Sequence, residues 1–257
     1  MTTTAEKLHD LIAAKRDMKE AIESKGGTVT GGLSTYADAV SRIRTKGDFT
    51  VDNKLRFAGS TFTDSPDIDT SNYTNMDGMF LRCVNLENVK RYNTENVVSM
   101  REMFAGCSSL KRIDYLDTSS VRNMYGMFSP HIIDYQGNAT TYQMQLQSIP
   151  LLKAYNVEDV NSMFGQQGLE YGLNELIDIG GFEGLGAVEN LSGTDGANFI
   201  YMLPNLSEQS IKNIVNNLYD RAAAGMRPLT LMFNYYNHQI DDETIATGTN
   251  KGWIITK

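Results

Sequence analysis

The sequence contains few of the residues and segments that mark several common classes of protein. It has two cysteines, Cys83 and Cys107, among 257 residues, too few for a disulfide-stabilised scaffold. No run approaches the roughly 18 consecutive apolar residues of a membrane-spanning helix. The N-terminus, MTTTAEKLHD, has neither a basic start nor an apolar run, so we expect no signal peptide. These features predict a protein made in a reducing cytoplasm, without a membrane span.

Basic residues are also in the minority. Lys and Arg total 23 against 31 Asp and Glu, which gives a formal net charge of −8. Surfaces that bind nucleic acid concentrate Lys and Arg, so this balance argues against a nucleic-acid partner. Hydrophobic residues make up 41% of the chain and charged residues 21%, which is ordinary for a globular protein with a sizeable core.

What the sequence does contain is a recurring phrase, NMYGMF at residues 123–128 and its relatives. The related phrases end at Phe80, Phe104, Phe128 and Phe164, at intervals of 24, 24 and 36 residues. A period of this length is typical of leucine-rich solenoids, whose units bury their apolar positions by stacking. The expected core positions are Met76, Met79, Phe80, Met100, Met103, Phe104, Met124, Met127, Phe128, Met163 and Phe164.

A second apolar series locates an insertion in the repeats. Leu86, Val89 and Tyr92 step by three, and the same pattern returns at 110–116 and 146–152. The long interval arises because about 12 residues are inserted near 130–145, after which the register resumes. We therefore predict an α/β protein in which a short leucine-rich-repeat-like solenoid of 24-residue repeats occupies residues 47–190.

The segment 191–257 leaves the repeat pattern and is predicted to cap the solenoid. Pro204 and Ser207 are signals for the start of a helix, and Asp241 or Asp242 for the start of a second one. LTLMF at 229–233 and GWIITK at 252–257 indicate strands. Solenoids need such an atypical end to cover the last unit.

Residues 1–46 predict two short amphipathic helices, separated by Gly26-Gly27 and a loop. Lys15 interrupts the first apolar seam, which weakens a coiled-coil interpretation. The region is either a helical hairpin packed on the next domain or a module for anchoring and oligomerisation. Its candidate interface residues are Leu8, Leu11, Met18, Ile22, Tyr36, Val40 and Ile43.

Signals for metal or cofactor chemistry are weak. Cys83 and Cys107 share one repeat position, so they are either a disulfide or metal pair or, as we expect, a ladder of small buried residues. The histidines, His9, His131 and His238, lack zinc-site spacing. We expect no cofactor, no metal site and no catalytic residues.

Two further motifs resemble ligand-binding loops but lack the residues that define such loops. Asp64, Asp67 and Asp69 lack the order and the glycine of a calcium-binding EF-hand loop. GGFEGLG at 180–186 lacks the glycine order and the Lys-Ser/Thr pair of a phosphate loop. We interpret 180–186 as a flexible coil at the end of the repeats.

Several phrases resemble known families. DTSNYTNMDGMFLRCVNLENV, AGCSSLKRIDYLDTSSV and DTSSVRNMYGMFSP resemble the BspA-type leucine-rich repeats, also known as a mycoplasma-type surface-protein repeat. LPNLSEQSIKNIVNNLYD and IATGTNKGWIITK are similar to the segment that often closes these repeats in proteins of gut bacteria and their phages. MKEAIESKGGTVTGGLSTYADAVSRI is similar to a helical module near the start of phage tail and fibre proteins.

The resemblance implies surface display and recognition rather than catalysis. We expect a bacteriophage virion protein, a fibre or decoration on head or tail, assembled in the bacterial cytoplasm. Its N-terminus would bind other virion proteins and form a homodimer or homotrimer, and its repeats would contact a host surface protein or glycan. The alternatives are a bacterial cell-surface adhesin, a fibre-borne depolymerase and an internal virion or scaffold role. The ligand would bind the polar positions between the core residues, or the insertion at 130–145.

Overall fold

The computed structural model contains two compact units, Met1–Val51 and Asp52–Lys257. The structure describes residues 55–133, 137–165, 173–193, 203–233 and 240–256, all of which belong to the second unit. The predicted N-terminal helices, with Lys15 and the seven candidate interface residues between Leu8 and Ile43, lie outside the described residues.

Short strands and two helices make up the regular secondary structure of the described residues. In chain order they are β1 (His131–Ile133), β2 (Ala139–Thr141), β3 (Ser148–Ile149), β4 (Leu152–Lys153), β5 (Asp178–Ile179), β6 (Phe182–Glu183), α1 (Glu208–Asn217), β7 (Leu229–Met232), α2 (Asp242–Asn250) and β8 (Trp253–Thr256). β1 and β2 are antiparallel, whereas β3–β5, β4–β6 and β7–β8 are parallel pairs.

Successive repeats lie side by side in parallel. Single parallel bridges join Asn75 to Ser99, Ser99 to Asn123, and Asn123 to Asp159, which are equivalent positions of neighbouring repeats. Backbone hydrogen bonds follow the same order, because the Phe104 N–H donates to the Met127 carbonyl at 2.9 Å and the Phe128 N–H to Met163 at 2.9 Å. We call the described residues between 55 and 193 the repeat stack.

The recurring methionines and phenylalanines form the interior of the repeat stack. All eleven positions named from the sequence are at most 1% exposed. The ring of Phe104 stacks on those of Phe80 and Phe128, with centroids 5.6 and 5.9 Å apart, and Phe128 stacks on Phe164 at 5.8 Å. Phe57, which lies outside the recurring phrase, extends this column by stacking on Phe80 at 5.8 Å. The rings of Phe80, Phe104 and Phe128 are therefore covered by another ring on both faces.

The polar phrase between the apolar series also forms a buried ladder. The threonines of DTSN, NTEN and DTSS are at most 2% exposed. Each hydroxyl donates to a backbone carbonyl of the next repeat, from Thr70 to Asn93, Thr94 to Asp117 and Thr118 to Lys153. A buried hydroxyl needs such a partner. Each of these threonines therefore links two neighbouring repeats, in addition to its place in a turn.

The prediction of a flexible coil over 180–186 is wrong. This segment contains β6, pairs with β4 through Leu152 and Phe182, and buries the Phe182 ring completely. Its glycines permit close approach rather than motion: a Cβ on Gly180 would lie 2.3 Å from the Leu151 nitrogen. The segment therefore belongs to a further repeat that the spacing of the MF phrases did not reveal.

The described residues of 203–233 and 240–256 cover this last repeat, and we call them the cap. Ser207 is the N-cap of α1 and accepts from the Ser210 N–H. The Ser210 hydroxyl accepts from the Ile179 N–H and donates to the Ile177 carbonyl, so a side chain satisfies groups at the edge of β5.

None of the helices among the described residues has the length and apolar composition of a membrane-spanning segment.

Candidate ligand-binding pocket beside the inserted hairpin

An outward-facing row of side chains runs across the repeat stack, three residues before each closing phenylalanine. It consists of Asp77, Arg101, Tyr125 and Asn161, and we call it the outer row. These residues are neighbours across repeats, since the N–H after each one donates to the carbonyl of the next at 2.7–3.0 Å. Unlike the buried columns, the outer row changes chemistry at every step.

The residue after each member of the outer row has a left-handed backbone. Its φ is +57° at Gly78, +54° at Glu102, +58° at Gly126 and +53° at Ser162. This conformation is a property of the repeat and suits glycine best. Glu102 and Ser162 adopt it with side chains, so a carboxylate and a hydroxyl flank Gly126, which has none.

The insertion forms a hairpin from β1 and β2, in which His131 pairs with Thr141 and Ile133 with Ala139. Its base closes tightly, because the Tyr142 N–H donates to the Pro130 carbonyl at 2.8 Å. The His131 ring contributes a contact of 3.1 Å between its Nδ1 and the Thr141 hydroxyl.

The hairpin packs on the repeat stack at Gly106. A Cβ on Gly106 would lie 2.7 Å from Cδ1 of Ile132 and 3.2 Å from the Tyr142 ring, so only glycine leaves the room that these side chains occupy. Ile132 is therefore buried, whereas its neighbour Ile133 is 54% exposed. This arrangement directs Ile133 toward solvent at the edge of the outer row.

A pocket of about 150 Å³ lies where the hairpin meets the outer row. The repeats contribute Arg101, Glu102, Tyr125, Gly126 and Ser162, and the hairpin segment contributes Ser129, His131, Ile132 and Ile133. The Arg101 guanidinium lies 4.5 Å from the centre of the Tyr125 ring, and its Nη2 lies 3.3 Å from Glu102 Oε1. The pocket thus combines an aromatic ring, an ion pair, hydroxyls and an exposed aliphatic side chain.

A second arginine–tyrosine pair links the same two repeats away from this pocket. Arg91 lies 3.8 Å from the centre of the Tyr115 ring, and both pairs join residues 24 apart. Tyr115 is 43% exposed, and neither residue lines the pocket. The Arg91–Tyr115 pair therefore serves as an internal control for Arg101–Tyr125.

The two cysteines are free and buried, and each Sγ donates to a backbone carbonyl: Cys83 to Phe57 at 3.0 Å and Cys107 to Phe80 at 3.1 Å. Burial raises the pKa of the Cys83 thiol to about 11, and burial also raises that of Cys107 well above its usual value. Because metal binding and disulfide exchange need the thiolate, these surroundings favour inert thiols. The described residues contain no cluster of three or more metal-ligating side chains, at Asp64, Asp67 and Asp69 or elsewhere.

The pocket residues were not distinguished by the sequence alone, apart from the general expectation that the insertion or the polar positions bind. A usable signal was present in HII and ATT, two β-branched runs around a Gly-Asn pair, which is typical of a hairpin. No sequence signal placed Arg101 and Tyr125 beside that hairpin. Their proximity depends on how the hairpin folds over Gly106.

Comparison with known families shows a match in the repeat region. Residues 53–168 match the family model described as Mycoplasma protein of unknown function, DUF285. This region is a mycoplasma-type surface-protein repeat domain, related to BspA-type repeats. The matched residues include the hairpin and the whole pocket. Neither a curated protein nor a solved structure matches the chain.

Proposed function

We propose that this protein recognises a ligand on a host surface and binds it without chemical conversion. The observation that carries the proposal is the pocket between the hairpin and the outer row, the place where the repeat period is interrupted. The core positions of the repeat stack are buried and nearly identical from repeat to repeat, so they provide no selectivity for a ligand. The pocket brings Arg101 and Tyr125 of the outer row together with side chains of the hairpin, and this combination occurs at no other step of the outer row.

The surface-protein repeat family supports this assignment, since such repeats fit a role in display. We further propose that the repeat stack is a short solenoid of the leucine-rich type. Parallel contacts between equivalent residues, as from Ser99 to Asn123, support that classification. A solenoid presents side chains on a rigid scaffold, which limits the ordering entropy that a ligand must overcome.

We propose a bacteriophage virion as the particle that carries the repeats, on its head or tail. This part rests on the N-terminal phrase similar to phage fibre modules, in which Met18, Ile22 and Tyr36 belong to the proposed interface. Other virion proteins would be its partners, and two or three copies would associate. Antibody labelling of intact particles together with a cryo-electron map would test this, and an absence of label outside the particle would contradict it.

A bacterial cell-surface adhesin is the second candidate, and the surface-protein family match is the observation that favours it. Fractionation of the producing cells separates the two. Protein found on intact uninfected cells would support the adhesin, whereas protein found in released particles would support the virion. The depolymerase alternative predicts shortening of a host polysaccharide on incubation with the purified protein.

Recognition itself is tested by binding of the labelled full-length protein to host cells, measured by flow cytometry. The hairpin, residues 131–141, is replaced by Gly-Gly, a change that the 2.8 Å hydrogen bond between Tyr142 and Pro130 makes possible without separating the flanking chain. We expect cell binding to fall about tenfold or more, as for loss of a central contact region. Tyr115→Ala is the matched control and should bind as the wild type does. Equal binding by the hairpin variant would overturn the proposal.

A further inference from the structure

We propose that the pocket binds a single uncharged sugar ring, the terminal residue of a glycan. This inference rests on the proposed recognition function and names its ligand class. It follows from the size of the pocket, its charge and the arrangement of its apolar and polar groups.

The size of the pocket favours one ring. Its volume of about 150 Å³ is half of the ~300 Å³ at which pockets for drug-sized ligands begin. A peptide or protein partner would instead bury about 800 Å² on each side over a broad surface. A monosaccharide at the end of a chain enters such a space while the rest of the glycan stays in solvent.

The charge of the pocket favours a neutral ligand. Arg101 and Glu102 contribute one positive and one negative charge and lie 3.3 Å apart, so they offset each other. The net charge of −8 on the chain disfavours the approach of acidic sugars at long range. A sialic or uronic acid would also have to compete with Glu102 for the Arg101 guanidinium.

The side-chain chemistry matches the two kinds of surface on a pyranose. The C–H face of a sugar packs on aromatic and aliphatic groups, which Tyr125 and the exposed Ile133 provide. Its hydroxyl edge needs acceptors and donors, and the Glu102 carboxylate and the Ser162 hydroxyl lie on either side of Gly126. Gly126 itself is buried, and a Cβ there would lie 3.1 Å from Cγ of Glu102, so the absence of a side chain leaves room for the Glu102 side chain over this backbone.

The stacked arginine adds directional donors at the same place. The Arg101 guanidinium is held 4.5 Å from the Tyr125 ring centre and its planar N–H groups point along fixed directions. Such a group donates to two vicinal hydroxyls at once. Tyr125 therefore both contacts the ligand and positions Arg101.

The test is saturation-transfer difference NMR on the full-length protein. The probes are the methyl pyranosides of glucose, galactose, mannose and N-acetylglucosamine, with glucuronic and N-acetylneuraminic acids for comparison. We expect signals from at least one neutral pyranoside. Tyr125→Ala should lower that affinity about tenfold, the upper range for an aromatic contact, and Glu102→Gln should lower it about threefold. Tyr115→Ala removes the equivalent ring outside the pocket and should change nothing.

The outcomes separate this inference from the proposed function. Signals from acidic sugars alone, no signal from any sugar, or equal signals from wild type and Tyr125→Ala would each overturn the sugar proposal. If host-cell binding nevertheless falls in Tyr125→Ala, recognition stands and the ligand belongs to another class. Thermal unfolding of Tyr125→Ala, which truncates a partly buried side chain, is measured alongside, so that a lost signal in the folded protein reports the pocket.

Discussion

The repeats and the segments that interrupt or end them are stabilised in different ways. In the repeat stack the same contact recurs, as in the ring column through Phe104 and Phe128 and the hydroxyl ladder through Thr94. The hairpin and the cap depend on contacts that occur once, such as Ile132 on Gly106 and Arg221 on the carbonyl of Gly186. Repetition produces the scaffold, and the unrepeated contacts of the hairpin produce the pocket of mixed chemistry beside the outer row.

The largest effect is expected from truncating the repeated core. Phe128→Ala removes a ring that is fully buried and stacked on both sides, by Phe104 and Phe164. We expect a loss of about 3–5 kcal/mol in the free energy of unfolding, as for other large core truncations. Urea denaturation followed by circular dichroism measures it. Val98→Ala, at a position 43% exposed, is the control.

A loss for Phe128→Ala no larger than that for Val98→Ala would contradict the ring column. We expect the exposed substitution to change stability by about 0.5 kcal/mol or less. Ligand binding by the folded fraction of Phe128→Ala should persist, because the ring does not line the pocket.

The cap offers the corresponding test of an unrepeated contact. The Arg221 side chain is completely buried and donates to the carbonyls of Gly186, Val188 and Arg227. Arg221→Met should cost about 2–3 kcal/mol, because it leaves buried acceptors without their charged donor. Equilibrium unfolding in urea checks the value.

The control for this prediction is Arg112→Met, which breaks an exposed pair with Asp114, 71% and 76% exposed. Such pairs contribute at most about 1 kcal/mol. If the two methionine variants proved equally stable, the buried arginine would have no special role in joining the cap to the last repeat.

Alanine substitutions at two glycines separate the effect of backbone strain from the effect of contact with the hairpin. Gly106 and Gly59 have nearly the same φ, +69° and +71°, so alanine at either position costs about 1–2 kcal/mol. A Cβ on Gly59 meets nothing within 4 Å, whereas one on Gly106 meets Ile132 at 2.7 Å. Gly106→Ala should therefore be the more destabilising of the two and should shift the Ile132 methyl resonances. Equal unfolding free energies with unshifted methyls would show that the hairpin does not depend on this contact.

The smallest effect is expected from acid titration of the cap. Hydrogen bonds from the Thr244 side chain and backbone, followed by Lys212, lower the pKa of Asp241 from 3.8 to about 2. A carboxyl with a lowered pKa stabilises the fold fully above its unfolded pKa and loses this contribution as the pH falls toward 2. Asp241→Asn should lower Tm at pH 7, and the difference from wild type should shrink as the pH falls from about 5 to 2. A difference in Tm that is the same throughout this range would contradict the assignment.

The sequence predicted the elements of the cap well, because each has a local signal. The helix that follows Ser207 and the capping of α2 by Asp241 are confirmed, as are the strands around Leu231 and Trp253. The misinterpreted segment was 180–186, where glycine was taken as a sign of flexibility. Gly180 is required by the close approach of Leu151, which lies 29 residues earlier and leaves no trace in the local pattern.

The candidate site was predictable only in outline. The altered interval before Leu146 marks the insertion, and the 24-residue period marks the polar positions between core residues. Which of those polar residues face the hairpin was not predictable, because Arg101 and Arg91 occupy equally regular positions and each lies over a tyrosine of the next repeat. The direction in which the hairpin folds decides between them.

The sequence by itself determined which side chains are equivalent. A period of 24 residues assigns Met100 and Phe104 the same surroundings as Met124 and Phe128, since stacking repeats the same apolar environment. The tertiary structure alone decided which residues meet where the period is interrupted. Ile132 packs on Gly106 because that glycine leaves room, and this contact brings an exposed Ile133 beside Tyr125 and Glu102. Contacts of this kind depend on shape and space between distant segments, which no local pattern records.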